Sequence, residues 1–128
     1  MASNAFPQSA TRVLHDARDD ERAGRVALAI EKYRAAIDAA VSDTDVSTQA
    51  EALRRLSVVM HRQHERGVAR ELCLQSFEVA SALGDSTLAA EALNTLGCFE
   101  LEAGEPGGAG ELFLRALTMA RNTPALIG

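Results

Sequence analysis

The sequence is poor in the residues that mark several large classes of protein. It has no tryptophan, one tyrosine, four phenylalanines, three prolines and two cysteines. Two cysteines can form at most one disulfide, which excludes a disulfide-rich fold. No apolar run approaches the roughly 18 residues of a membrane-spanning helix. Alanine and leucine are abundant instead, and both lose little side-chain freedom in a helix. The 128 residues therefore predict one all-helical domain, long enough to have its own core.

A basic excess is also absent. The formal net charge is −5, which argues against a general binder of nucleic acids or anionic membranes, since both need a basic surface. The first ten residues lack the charged and apolar regions of a secretory signal. Cys73 and Cys98 stand apart from each other and from any Cys/His set. We therefore interpret them as free thiols of a protein in the reducing cytoplasm.

Self-similarity at a fixed spacing is the strongest pattern in the sequence. A shift of 40 residues superposes three copies of one alternation of small and large side chains. The superposed sets are Ala29, Ala69 and Ala109; Tyr33, Cys73 and Phe113; Ala36, Ser76 and Ala116; Ile37, Phe77 and Leu117; and Ala40, Ala80 and Ala120. Three copies in register at these positions indicate a repeat protein.

Each copy is predicted to form two helices. Positions i, i+3, i+4 and i+7 form one helix face, and in the second copy they hold Leu53, Leu56, Ser57 and Met60. Gly24 and Gly104 fall between paired helices, where a left-handed residue is expected, and Pro106 suits the first turn of the last helix. The predicted helices span 9–23, 25–41, 47–63, 66–83, 87–103 and 106–121.

This pattern resembles the motif of the tetratricopeptide repeat family. The third copy carries the motif most completely, at Leu93, Leu96, Gly97, Ala109, Phe113 and Ala116. The first helix of copy one departs from it, because Asp16 stands where a leucine belongs. The period of 40 residues exceeds the usual period of about 34, and we expect the extra residues in the turns after Ala40 and Ala80. Such longer repeats are found in kinesin light chains and in sensor regions of bacterial regulators.

The resemblance implies a right-handed superhelical array of three antiparallel helix pairs, in which the first helices line a concave groove. We expect a single domain over 10–123, with repeats at about 10–46, 47–86 and 87–123 and tails at 1–9 and 124–128. The implied function is a non-catalytic scaffold or adaptor that binds a protein or peptide segment in the groove. The alternative is a sensory or regulatory module of a larger bacterial regulator or signalling assembly, whose effector part lies elsewhere.

The sequence offers no catalytic constellation. His61 and His64 are spaced to share a metal, but no third ligand is near in sequence, so a solvated helix end is the simpler interpretation. The glycine-rich segment 104–110 lacks the Lys-Ser/Thr of a phosphate loop and suits a turn between helices better. An acidic cluster typical of a solvated helix face comprises Asp16, Asp19, Asp20 and Glu21. We predict no enzyme activity, no metal and no cofactor.

The candidate partner-binding residues lie opposite the core stripe on the first helices of copies one and two. That face holds Leu14, His15, Arg18, Arg22, Arg54, His61 and Arg62. Arginine suits the grip of carboxylates, and the residues predicted to bind an acidic partner are Arg18, Arg22, Arg54, His61 and Arg62. The simpler alternative is that these residues solubilise the helices and pair with acids such as Glu21 and Glu65. Chaperone-binding family members clamp a C-terminal carboxylate with lysines and asparagines, and the matching positions here hold Leu14 and Arg18, so we do not expect that ligand.

The last predicted helix pair is apolar on several sides, and the residues after it are too few to form a capping helix. Some of its large side chains should therefore remain in an uncovered patch, which commonly marks an interface. The candidates for self-association are Phe99, Leu101, Leu112, Leu114 and Met119. We predict a two-fold homodimer that packs the third copies together, with membership of a longer array as the alternative.

Overall fold

The computed structural model describes residues 9–121, which form six helices and no strand. The helices are α1 (Ala10–Arg22), α2 (Val26–Asp43), α3 (Val46–Arg62), α4 (Arg66–Leu83), α5 (Ser86–Glu102) and α6 (Pro106–Arg121). All six predicted helices are confirmed, with their ends displaced by two residues or fewer. The predicted tails lie outside the described residues except for Ser9, as do the last residues of the domain expected over 10–123.

Five turns of one geometry join the helices. Their left-handed residues recur every 20 positions, at Gly24, Thr44, His64, Gly84 and Gly104. In each turn the N–H of the next residue donates to a carbonyl five residues earlier; Asp45 N bonds Ala40 O at 2.8 Å and Asp85 N bonds Ala80 O at 3.0 Å. These bonds satisfy carbonyls that a helix end leaves free. The predicted left-handed positions of Gly24 and Gly104 are confirmed.

The residues expected to lengthen the turns after Ala40 and Ala80 lie in the helices instead, so this expectation was wrong. Both α2 and α4 are 18 residues long and continue to Asp43 and Leu83. No helix breaker stands before the left-handed position, and the next helix begins at once. Its N-cap is an aspartate, which accepts the backbone N–H three residues later, at 3.3 Å for Asp45 and 2.9 Å for Asp85.

Small side chains bring the helix pairs together. The closest neighbours are α1 with α2, α3 with α4 and α5 with α6, and successive pairs meet through α2 with α3 and α4 with α5. Ala29, Ala69 and Ala109 are at most 1% exposed, and their small size lets the helix axes approach closely. Ser76 serves the same purpose and donates its buried hydroxyl to Ala50 O at 2.7 Å.

One member of the predicted acidic face is buried, which corrects its assignment to solvent. Asp20 is 4% exposed because its position on α1 faces the start of α2. Lys32 Nζ lies 2.7 Å from one carboxylate oxygen and Arg25 Nε lies 2.8 Å from the other. These hydrogen bonds, the one from Lys32 foremost, lower the pKa of Asp20 below its ordinary value. The buried charge is thus compensated by two cations.

Candidate functional site

A cavity of about 340 Å³ opens between the C-terminal ends of α3 and α5, next to the start of α4. We name it the α3–α5 pocket, and its lining consists of Val58, His61, Arg62, His64, Arg66, Thr95, Cys98, Phe99 and Glu102. Four of these side chains are basic and one is a carboxylate. A concave site of this size with several convergent polar groups can hold one or two side chains of a binding partner.

One wall of the pocket is a pair of stacked rings. The His61 and Phe99 rings are parallel to within 3°, with centroids 4.3 Å apart. His61 Nδ1 also lies 3.4 Å from a carboxylate oxygen of Glu102, so the two side chains form an ion pair when the imidazole is protonated. The His61 side chain is only 11% exposed, and Phe99 and Glu102 of α5 both contact it. These contacts hold the imidazole in one orientation, so it forms a preorganised surface.

His64 holds an unusual backbone conformation beside this wall. Its φ is +65°, in the left-handed region, and the equivalent positions in the other two copies are Gly24 and Gly104. A side chain at such a position costs backbone energy that glycine does not incur. The second copy therefore differs from its neighbours in placing an imidazole at the mouth of the pocket.

The two arginines of the pocket differ in how their charges are compensated. Arg62 Nη1 lies 3.2 Å from Glu21 Oε2, and the other oxygen of Glu21 accepts the hydroxyl of buried Tyr33 at 2.5 Å. Burial, together with this hydrogen bond to Glu21, raises the pKa of Tyr33. Arg66 is exposed and forms no ion pair with the described residues. The charge of Arg66 is therefore available to a partner.

The structure brings together only part of the predicted groove set. His61 and Arg62 both line the pocket. Arg22 is exposed on α1 and lies 3.6 Å from Asp19, while Arg18 is half-buried. Arg54 is only 18% exposed, with Nη2 3.9 Å from Glu91, and its Nε is buried without a hydrogen-bond partner among the described residues. Arg54 thus lies between α3 and α5 rather than at the pocket mouth.

Leu14 was assigned to the groove face, and the structure corrects this assignment. It is 5% exposed and belongs to the core cluster around Tyr33 and Leu56. The equivalent positions on α3 and α5 are Arg54, which is half-buried, and Asn94, which is exposed. The same repeat position is therefore buried in copy one and exposed in copy three. The reason is that each helix pair covers part of the pair before it.

Two of the four basic pocket residues, His64 and Arg66, were not predicted as binding residues. A signal for His64 was present, because the 40-residue shift aligns it with two glycines that mark the turn. No comparable signal singled out Arg66, whose role depends on the approach of α5 to the start of α4. Phe99, predicted for self-association, forms part of the pocket wall.

The predicted self-association residues fall into two groups. Leu101 is 54% exposed and Leu114 is 64% exposed. The other three, Phe99, Leu112 and Met119, are half-buried and pack against the core cluster that includes Leu93 and Leu96. Whether these side chains mediate self-association stays a prediction, but only the first two are largely open to solvent.

Within residues 9–121, no group of three or more histidine, cysteine, aspartate or glutamate side chains is placed to hold a metal ion. The pair His61 and His64 has no third ligand in this part of the chain. No helix in the same range is both long and apolar enough to cross a membrane.

These features define an all-α protein built from sequentially packed antiparallel helix pairs. No family profile and no curated protein matches the sequence. Among solved structures, the chain is similar to BtubC (BKLC) from P. vanneervenii, with a TM-score of 0.78 over 95% of this chain. The two sequences are 18% identical, so the likeness concerns the fold alone. The chain spans about half of the length of BtubC, since the match covers 51% of that protein.

Proposed function

We propose that this protein is a non-catalytic interaction module of the tetratricopeptide type, a right-handed superhelical array that binds an acidic segment of a partner protein in the α3–α5 pocket. The observation that carries the proposal is the convergence of four basic side chains on one cavity between adjacent first helices. The 40-residue repeat and the stacking of helix pairs support the repeat type.

The distribution of ion pairs supports an acidic ligand. Arg55 is compensated by Glu51 within α3, and Arg70 pairs with Glu100. Six of the twelve arginines form such ion pairs, and five others besides Arg66 form none with the described residues, namely Arg12, Arg18, Arg34, Arg115 and Arg121. Arg66 forms no ion pair with the described residues and is exposed at a cavity. A carboxylate entering the pocket meets this uncompensated cation, and charge-assisted hydrogen bonds of this kind are the stronger ones.

The conformation of His64 supports a role for its side chain. Strained backbone positions persist where the surroundings enforce them, and they cluster at binding sites. The other two copies hold glycine at this position, so the fold itself does not require an imidazole here. The stacked rings of His61 and Phe99 add a flat surface on which the apolar stem of a glutamate or a neighbouring side chain can pack.

Both cysteines support a reducing compartment. Cys73 is buried and Cys98 is exposed, and neither forms a disulfide. Burial raises the pKa of the Cys73 thiol to about 11, which keeps it protonated and unreactive. An exposed free thiol such as that of Cys98 persists best in the cytoplasm, where we place the protein.

A selection from random 12-residue peptides displayed on phage tests the proposal. We expect the peptides retained by the 128-residue chain to be enriched in aspartate and glutamate. Arg66→Glu should weaken their binding, measured by fluorescence anisotropy, by about 10–100-fold, because it replaces an attractive charge pair with a repulsive one. The same change introduces a carboxylate in the first turn of α4, where the helix dipole favours it, so it should not unfold the protein.

Arg34→Glu is the matched control. Arg34 is exposed on α2, away from the pocket, and its reversal changes the net charge by the same amount. Binding should survive this change nearly unaltered. Retained peptides without an excess of acidic residues would contradict the acidic ligand. Equal weakening by both variants would show that the ligand does not occupy the α3–α5 pocket. Arg54→Glu is a poor probe, because it would place a buried carboxylate beside Glu91.

A further inference from the structure

Residues on α6 are more exposed than the equivalent residues of α2 and α4. Tyr33 and Cys73 are fully buried, whereas the equivalent Phe113 is half-buried. Ile37 and Phe77 are half-buried, whereas Leu117 is 47% exposed. The last helix therefore exposes a stripe that α2 and α4 cover. We name this stripe the α6 end face, and it consists of Gly110, Phe113, Leu117 and Ala120.

The two earlier copies show what covers this stripe. Ala52, Leu56 and Val59 of α3 pack with Tyr33 in one core cluster. Ala92 and Leu96 of α5 pack with Cys73 in another. In both places an apolar face of the next first helix lies against the stripe. Within residues 9–121, α5 is the helix that packs alongside α6, so no described helix covers the α6 end face.

At the opposite end of the array, the outer face of α1 carries charged side chains. Shifted by 40 residues, the covering positions Ala52, Leu56 and Val59 correspond on α1 to Arg12, Asp16 and Asp19. Arg12 and Asp19 are exposed and Asp16 is half-buried. A head-to-tail contact of α1 with the α6 end face of another copy would bury these charges against apolar groups, which is costly. Over the described residues, the outer face of α1 is therefore polar and the α6 end face is apolar.

We propose that the α6 end face binds the same face of a second copy of this chain, in a two-fold dimer with antiparallel α6 helices. Such a contact is self-complementary, because one patch serves both partners. It leaves the charged outer face of α1 in solvent and stops at two copies. The proposal is independent of the ligand of the α3–α5 pocket.

The order of residues along α6 suits this pairing. In an antiparallel arrangement centred between residues 113 and 114, Gly110 of each copy lies opposite Leu117 of the other, so a small side chain receives a large one. The same register brings Arg121 of each copy to the start of the other α6, next to Glu105, which makes the rim charges complementary. Phe113 already rests with one side on Gly97, where an added Cβ would lie 2.5 Å from its ring. Phe113 is half-buried, so part of its surface can contact the partner.

Sedimentation velocity on the 128-residue chain, over about 1–200 µM, tests the proposal. We expect a species of twice the chain mass of 13.6 kDa. Leu117→Glu should weaken association on the order of 100-fold, because it places a carboxylate at the centre of an apolar contact twice per dimer. Leu74→Glu is the matched control, since Leu74 is also an exposed leucine but lies on α4, outside the α6 end face. That variant should remain a dimer.

Alkylation of the cysteines gives a second readout. Cys73 is fully buried, so Cys98 alone should react. Cys98 lines the α3–α5 pocket, which the proposed contact leaves open, so its reaction rate should stay constant as the chain dimerises. A rate that falls with rising concentration would place the contact over the pocket instead. Circular dichroism verifies that each variant keeps its helices.

Three further results would overturn the proposal. One is sedimentation as a monomer at every concentration. If a variant that lacks residues 122–128 then sedimented as a dimer, those residues would be the occupant of the α6 end face. Another is growth beyond a dimer with rising concentration, which would indicate head-to-tail assembly. The third is equal loss of association in Leu74→Glu and Leu117→Glu, which would move the contact to another surface.

Discussion

Thr44 offers a sharp test of the turn geometry, because it holds a backbone conformation that its side chain disfavours. It ends α2 at φ +56° and ψ +35°, in the left-handed region. The equivalent residue 40 positions later is Gly84, at φ +80° and ψ +17°. A β-branched residue with positive φ is a true outlier. We therefore expect Thr44→Gly to stabilise the protein.

The expected gain is a difference of two terms. Left-handed backbone costs a residue with a Cβ roughly 1–2 kcal/mol, and Thr44→Gly removes this strain. Glycine also gains freedom in the unfolded chain, which lowers the free energy of unfolding by roughly 0.5–1 kcal/mol. The exposed Thr44 side chain makes no hydrogen bond to the described residues, so nothing else is lost. The net gain should be about 0.5–1 kcal/mol.

Urea unfolding followed by circular dichroism measures this gain, and the melting temperature should rise by roughly 2–5 °C for a domain of this size. The reverse change, Gly84→Thr, is the matched control and should lower the free energy of unfolding by a similar amount or more. If Thr44→Gly left the midpoint unchanged or lowered it, Thr44 would not be left-handed in solution.

Three further predictions concern individual side chains. Tyr33→Phe removes the hydroxyl that bonds Glu21 and should cost about 1–2 kcal/mol in urea unfolding. At pH values above its ordinary pKa, the ionised carboxylate of Asp20 stabilises the fold, and this contribution is lost as the pH falls through the lowered pKa of the folded state. The difference in the free energy of unfolding between wild type and Asp20→Asn should therefore be constant at about pH 5–7 and shrink below about pH 4. His64→Gly relieves the left-handed strain and should raise the midpoint slightly, while weakening the binding of acidic peptides; stronger binding would contradict the role of the imidazole.

The helices of this protein are predictable because the same pattern of small and large residues recurs in three copies. Ala29, Ala69 and Ala109 occupy one buried position in three copies, so an error in one copy is corrected by the other two. The turns are predictable where they contain glycine, as at Gly24 and Gly104. They are harder to place where Thr44 adopts the same conformation at an energetic cost, since no propensity favours it there.

The pocket was predicted only in part, and the reason lies in how helices cover one another. His61 and Arg62 could be assigned to a solvent-facing stripe from their spacing on α3. The burial of Leu14 could not, because it depends on the next helix pair rather than on α1 itself. Arg54 is likewise covered by α5, where Glu91 meets it. Contacts between pairs decide which members of a polar stripe remain available, and a single-helix pattern does not contain them.

The claim that an acidic segment binds in the α3–α5 pocket is tested most directly by nuclear magnetic resonance. The ¹⁵N-labelled chain would be titrated with one acidic peptide obtained from the phage selection. We predict that the backbone amide shifts change at 61–66 and 95–102, which surround the pocket. In Arg66→Glu the same changes should require about 10–100-fold more peptide. Shift changes concentrated on the exposed sides of α2 and α4, around Arg34 and Leu74, would contradict the account.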